Sequence, residues 1–106
     1  RIIFFDGEYA GSVARIPMEG SIKANFHAGG KAKKSNLVFR DQEIIDAVGP
    51  ELKELDLFFV GIDIIGNFLT EINVTSPTGI KQINKLYNVK LEQVFWDKLE
   101  AKYKIV

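Results

Sequence analysis

The sequence contains no cysteine. That excludes a disulfide framework and any metal site built on thiolates. It contains a single histidine, His27, so a zinc site, which draws on nitrogen and sulfur, has almost nothing to work with. An excess of either charge is also absent: 14 Lys and Arg balance 14 Asp and Glu. A nucleic-acid module normally shows a basic excess, so none is expected as a partner. No apolar run approaches the ~20 residues needed to cross a bilayer, and no stretch reads as a secretory signal. No membrane partner and a cytoplasmic location are therefore expected. No internal repeat is visible. Methionine is nearly absent too, with only Met18 in a sequence that starts at Arg1. This chain is expected to be a piece of something longer.

Among what is present, the hydrophobic fraction of 46%, with eight phenylalanines, describes a folding chain of one domain rather than a disordered one. "RIIFFDG" (Arg1 to Gly7) reads as a strand running into an Asp-Gly turn, with "GSVARIPM" (Gly11 to Met18) as its hairpin partner. "RDQEIIDAVGPELKELD" (Arg40 to Asp56) spaces Ile44, Ile45, Val48, Leu52 and Leu55 as a helix does. Gly49-Pro50 is expected to kink or split it. "LFFVGIDII" (Leu57 to Ile65) is apolar on both faces and reads as a central strand, followed by the strand "FLTEINVT" (Phe68 to Thr75). Two more helices are predicted over Gly79 to Tyr87 and Lys90 to Lys104. Hairpin-linked strands interleaved with helices predict an α+β fold, an antiparallel sheet with helices packed on one face.

Three polar side chains interrupt the second hairpin. With a three-residue turn at Gly66 to Phe68, Asp63 stands opposite Glu71, and Asn73 shares that face because strand side chains alternate. A two-residue turn at Gly66-Asn67 would break this register. Gly61, opposite Asn73, would leave room beside it. Two facing carboxylates in a partly dry site cost several kcal/mol per ion unless compensated. A divalent cation with a preference for oxygen, such as Mg²⁺, would compensate. Spacing alone equally fits the solvated face of a half-exposed sheet.

Residues from about 16 to 36 form a long stretch with little periodicity, rich in glycine and lysine. Such a loop serves either as a flexible lid over a phosphate-bearing site or as a solvated basic segment. Arg15 closes an apolar strand just before it, and Arg1 would sit beside Arg15 if the first two strands pair. Arginine grips carboxylate and phosphate with a two-pronged fork. His27 lies in the loop with no evident partner. Trp96, Tyr87 and Tyr103 read most simply as packing residues.

Taken together, "VARIPMEG", "KANFHAGG", "GPELKE", "FVGIDIIG" and "LTEINVTSPTG" resemble the C-terminal part of the prokaryotic glutathione synthetases, which are ATP-grasp ligases. The resemblance runs through essentially the whole chain and implies the C-terminal half of an ATP-grasp fold. It implies that Asp63, Glu71 and Asn73 are ligands of two Mg²⁺ ions, or of Mn²⁺. It implies that Arg1 and Arg15 hold the substrate carboxylate and the transferred phosphoryl group, with Arg15 catalytic. Asn25, Gly29 and Gly30 match the core of the family's active-site loop, and Ser76 and Thr78 fall where the family contacts its peptide substrate. Lys23 stands where the family commonly has arginine, which puts a forked contact there in doubt. The implied partners are ATP, γ-glutamylcysteine and glycine, joined through an acyl phosphate, together with an upstream half of the enzyme and a homo-oligomeric assembly of the full-length protein. The missing half is expected to leave apolar surface uncovered. The alternatives are another ATP-grasp carboxylate-amine ligase, such as a protein glutamate ligase, and a non-catalytic fragment.

Overall fold

Asp6 and Gly7 both take left-handed backbone angles, with φ of 53° and 75°. A two-residue turn joining twisted antiparallel strands requires this geometry, and Asp-Gly supplies it. The computed structural model describes residues 1–16, 31–75 and 77–103, with only the backbone described at 15, 16 and 31. The turn joins β1 (Ile2–Phe5) to β2 (Glu8–Ser12). The predicted partner strand thus begins earlier than Gly11. It also ends earlier, because the chain leaves the sheet at Val13. The next strand, β3 (Ala14–Ile16), pairs instead with β4 (Lys31–Lys33) in a separate two-stranded ladder. Residues 17–30, which join β3 to β4 and make up most of the predicted lid, lie outside the described residues.

The main sheet has the order β2-β1-β5-β6, where β5 is Phe59–Ile65 and β6 is Phe68–Asn73. Each neighbouring pair is antiparallel. With three helices the fold is α+β, as predicted. The prediction that the helices share one face is corrected. Helix α1 (Phe39–Glu54) buries Ile44, Ile45 and Leu52 against Ile2, Phe4, Val60 and Ile62. Helices α2 (Ile80–Tyr87) and α3 (Leu91–Tyr103) bury Ile83 and Leu91 against Ile3, Phe5 and Val13 on the opposite face. The reason lies in β1, where four successive apolar residues are all buried. Alternation sends two to each side, so a strand of this kind needs cover on both.

Helix α1 runs unbroken across Gly49-Pro50, so the predicted split does not occur. Gly49 is pressed against the β1–β2 turn. A Cβ built on it would lie 2.4 Å from the Gly7 carbonyl oxygen. Glycine there lets turn and helix touch through their backbones, and the buried Leu52 one turn later anchors the last residues. On the far face, Phe95 of α3 meets Phe5 edge-on at 5.4 Å between ring centroids. Trp96 and Tyr103, read from sequence as packing residues, are both more than half exposed on α3. Among the described residues no helix is long and apolar enough to cross a membrane.

Candidate functional site

The β5–β6 hairpin turns through two residues, Gly66 and Asn67, with Ile65 opposite Phe68 and Ile64 opposite Leu69. Carried on unchanged, that register would set Asp63 opposite Thr70 and turn Glu71 to the other face. A bulge between Asp63 and Ile64 prevents this. Thr70 is the extra residue, and its hydroxyl donates to the Asp63 carbonyl at 3.2 Å. Beyond the bulge, Asp63 pairs with Glu71, Ile62 with Ile72 and Gly61 with Asn73. The predicted three-residue turn is corrected to two residues, and only the pairing from Asp63 onward is the predicted one, because the extra residue sits in the strand and not in the turn.

This register places Asp63, Glu71 and Asn73 on one face, the face that carries α2 and α3. They differ in surroundings. Asp63 is largely buried, with its side chain 13% exposed. Glu71 is exposed and, among the described residues, makes no ion pair or hydrogen bond. Asn73 is half-buried, and its side-chain oxygen accepts from the Thr75 backbone N–H at 3.1 Å, which shapes the chain as it leaves β6. No group of three His, Cys, Asp or Glu side chains lies together among the described residues. The cluster is two carboxylates and an amide.

The space beside Gly61, predicted to be open, is filled by Arg1. A Cβ on Gly61 would come within 2.9 Å of the Arg1 Nη1 and 3.1 Å of Pro77. The guanidinium donates from Nε to one Asp63 oxygen at 2.8 Å and from Nη2 to the other at 3.2 Å. Its Nη1 donates to the Thr78 carbonyl at 3.1 Å. The Arg1 side chain is only 4% exposed. Asp63 is thus partly neutralised from within the chain by a fork across β1 and β5. The pairing that produces it is Ile2 with Ile62 and Ile3 with Gly61, an adjacency of distant strands that spacing along the sequence does not carry. Pairing β1 with β5 sets Arg1 across from Asp63. Reading β1 only against its hairpin partner missed it.

Along the backbone, Arg1 stands opposite Val13. Its backbone nitrogen donates to the Val13 carbonyl at 2.9 Å and its carbonyl accepts from the Val13 N–H at 3.0 Å, two residues short of Arg15. The backbone of Arg15 pairs with Ala32 in β4, and its side chain is not described. Thr78 is described, and its contact runs through its carbonyl. Asn25, Gly29, Gly30 and Ser76 lie outside the described residues, as do Lys23 and His27. Pro77 and Gly79 were not foreseen as parts of this region. Gly79 has φ 126° and lies beneath Arg1, where a Cβ would reach its Cγ at 3.4 Å. A separate, mostly apolar hollow of about 360 Å³ between β2, α2 and α3, lined among others by Tyr9, Ser12, Ile83 and Leu91, has no carboxylate among the described residues of its wall.

A pair of acids facing across a bulged hairpin, beside a forked arginine, is the arrangement against which relatives can be compared. The family model for the prokaryotic glutathione synthetase ATP-grasp domain matches residues 1–88. This chain belongs to that family. Curated glutathione synthetases agree with it along nearly its whole length. That of Mesorhizobium japonicum is 44% identical over 104 residues, which cover 98% of this chain and 33% of the relative. Those of Brucella melitensis biotype 1 and Coxiella burnetii are 46% identical over 102 residues and 45% over 104, covering 33% and 32% of the relatives. The chain therefore spans about a third of the length of the curated relatives it matches.

Proposed function

We propose that this chain is the C-terminal part of a glutathione synthetase and supplies the metal-binding and substrate-gripping half of its ATP site. The reaction is the ATP-dependent joining of γ-glutamylcysteine to glycine. The observation that carries the reading is the bulged register, which puts Asp63, Glu71 and Asn73 on one face of β5 and β6. The donor set is two carboxylates and an amide, oxygen only, which suits Mg²⁺ or Mn²⁺ and not zinc. Glu71, exposed and free of described partners, can take up a cation without first giving up a bond. Asp63, Glu71 and Asn73 would hold the ions, which when bound withdraw charge from the β- and γ-phosphates of ATP.

The rest of the chemistry falls to the chain and its substrates. The cysteinyl carboxylate of γ-glutamylcysteine attacks the γ-phosphorus and ADP leaves, giving an acyl phosphate. The glycine amine attacks that carbonyl, phosphate departs and the amine proton is lost. Arg15, by the resemblance to the family, would stabilise negative charge on the phosphoryl group in transit. Arg1, already anchored on Thr78, offers a fork to a carboxylate or phosphoryl oxygen. Residues 16–36 would exclude water from the acyl phosphate, which otherwise hydrolyses. Ser76 and Thr78 lie in the segment expected to meet the dipeptide. A longer protein carrying this chain should act as a homo-oligomer, and this chain alone should not turn over.

The test follows the ion. Mn²⁺ titration monitored by electron paramagnetic resonance should show binding that Glu71→Gln weakens by about tenfold or more. Undiminished binding in that variant would remove the metal assignment. In a longer protein carrying this chain, ADP release with γ-glutamylcysteine plus glycine supports the substrate assignment. Release with glutamate plus a peptide instead would make it a protein glutamate ligase.

A further inference from the structure

Arg1 is committed twice. The proposed function asks it to hold an anionic group of the substrate, yet its Nε and Nη2 already occupy both oxygens of Asp63. The same carboxylate is asked to hold a cation. A cation and the guanidinium would share one carboxylate, and their like charges would weaken each other's hold on it. The pair is largely buried, Gly61 and Pro77 wall it in, and the Nη1 bond to the Thr78 carbonyl fixes the guanidinium from behind. A cation arriving at Asp63 meets a guanidinium of like charge at hydrogen-bond distance from its own ligand. The nearest alternative attraction for the cation is Glu71, directly across the strand pair.

We propose that Arg1 is a positioning residue that exchanges partners: it neutralises Asp63 while no cation is bound, and cation binding at Asp63 and Glu71 frees its Nε and Nη2 for an anion. The inference rests on the metal assignment above and adds the coupling to it. Free energy linkage makes the exchange reciprocal. An anion that draws Arg1 away from Asp63 strengthens cation binding, and the cation strengthens anion binding by the same factor. The anchor at Thr78 keeps the guanidinium in place through the exchange, so the arginine changes ligand without leaving the site.

Two measurements on this chain test it, with Arg1→Lys as the variant because lysine keeps the charge and loses the fork. Arg1→Lys should bind Mn²⁺ about fivefold or more tightly than the parent, with Glu71→Gln binding weakly in either background. In NMR spectra of the parent, the Arg1 Nε–H signal should shift on titration with Mg²⁺ and saturate together with the Glu71 backbone amide. If Mg²⁺ shifts the Glu71 amide but leaves Arg1 Nε–H unmoved, and Arg1→Lys binds Mn²⁺ no more tightly than the parent, the exchange is overturned and the metal site stands. If Mg²⁺ moves neither signal, the metal site falls and the exchange with it. A thermal melt of each variant confirms that binding is compared between folded chains.

Discussion

The molecule contains two β-hairpins built alike and used differently. Both turn through two residues, one Asp-Gly and the other Gly-Asn, and both carry a bulge. The β1–β2 hairpin is held by helices on both faces. Its turn rests on α1 through Gly7 and Gly49. Lys102 of α3 binds Asp56 at 2.8 Å and Asp6 at 2.6 Å, and Lys98 binds Glu8. The two carboxylates, Asp56 foremost, push the Lys102 ammonium pKa well above its usual value. Among the described residues, the β5–β6 hairpin is held along β5 and by a single bond from Arg40 of α1 to its turn. All of β6 before Asn73 is exposed, including Phe68, Leu69 and Ile72, and nothing stands within 4 Å of a Cβ placed on Gly66. The exposed apolar strand is what was expected of a chain matching a third of its relatives. The first hairpin therefore serves the core, while the second serves it through Val60 and Ile62 of β5 and carries the proposed metal ligands at its more exposed side.

That contrast is sharpest in the phenylalanines. Phe5 is fully buried between β5 and α3, while Phe68 is 71% exposed. Phe5→Ala should cost about 3–5 kcal/mol of unfolding free energy, and Phe68→Ala less than about 0.5 kcal/mol, both read from urea denaturation. Equal losses would mean that the two hairpins are equally structural.

The turn glycines give a smaller difference. Gly7 needs a positive φ, and a Cβ there would press to 2.5 Å from the Gly49 carbonyl oxygen. Gly66 needs a positive φ of 61° in open space. Gly7→Ala should destabilise by about 2–3 kcal/mol and Gly66→Ala by about 1 kcal/mol, the backbone cost alone. Thermal melts of the two variants side by side separate contact from conformation.

The smallest effect lies in the charges that hold β2. The hydrogen bond from Lys98, together with its charge, lowers the Glu8 pKa below its ordinary 4.5. A carboxyl lowered in the folded state contributes stability above its unfolded value and loses it as pH falls through the folded one. Lys98→Ala should therefore lower stability at neutral pH by a few tenths of a kcal/mol, given the exposure of the pair. The difference from the parent should shrink as pH falls below the ordinary carboxylate range and vanish once Glu8 is protonated in the folded chain. Among the described residues, the β5–β6 turn is tied instead by a bond from Arg40 Nε to the backbone carbonyl of Asn67 at 2.9 Å.

Much of this was legible in the sequence because local chemistry decided it. Asp6-Gly7 announced a turn, Ile44 to Leu52 a helix face, and the two-sided apolarity of β5 a central strand. The same reading applied to β1 would have revealed helices on both faces. Gly49-Pro50 misled because its backbone contact with Gly7 comes from a distant part of the chain, invisible to any local rule. At the candidate site the facing of Asp63 and Glu71 was legible, but the position of the extra residue was not. An insertion in the turn and one at Thr70 produce the same downstream pairing, so the pattern of side chains cannot tell them apart. The grip of Arg1 on Asp63 depends on which strands become neighbours, a property of topology that spacing does not carry.

The bulge at Thr70 works as a correction of parity. In a ladder where odd and even positions look to opposite sides, one surplus residue decides the side of everything downstream. Straightening the bulge, with Thr70 drawn into the ladder opposite Asp63, would leave the composition of β6 untouched, yet it would turn Glu71 and Asn73 toward the layer occupied by α1 and bring Ile72 round opposite Gly61, beside Arg1. The chemistry proposed for this hairpin thus hangs on a count, and a hydroxyl bonded to the Asp63 carbonyl helps to keep that count odd.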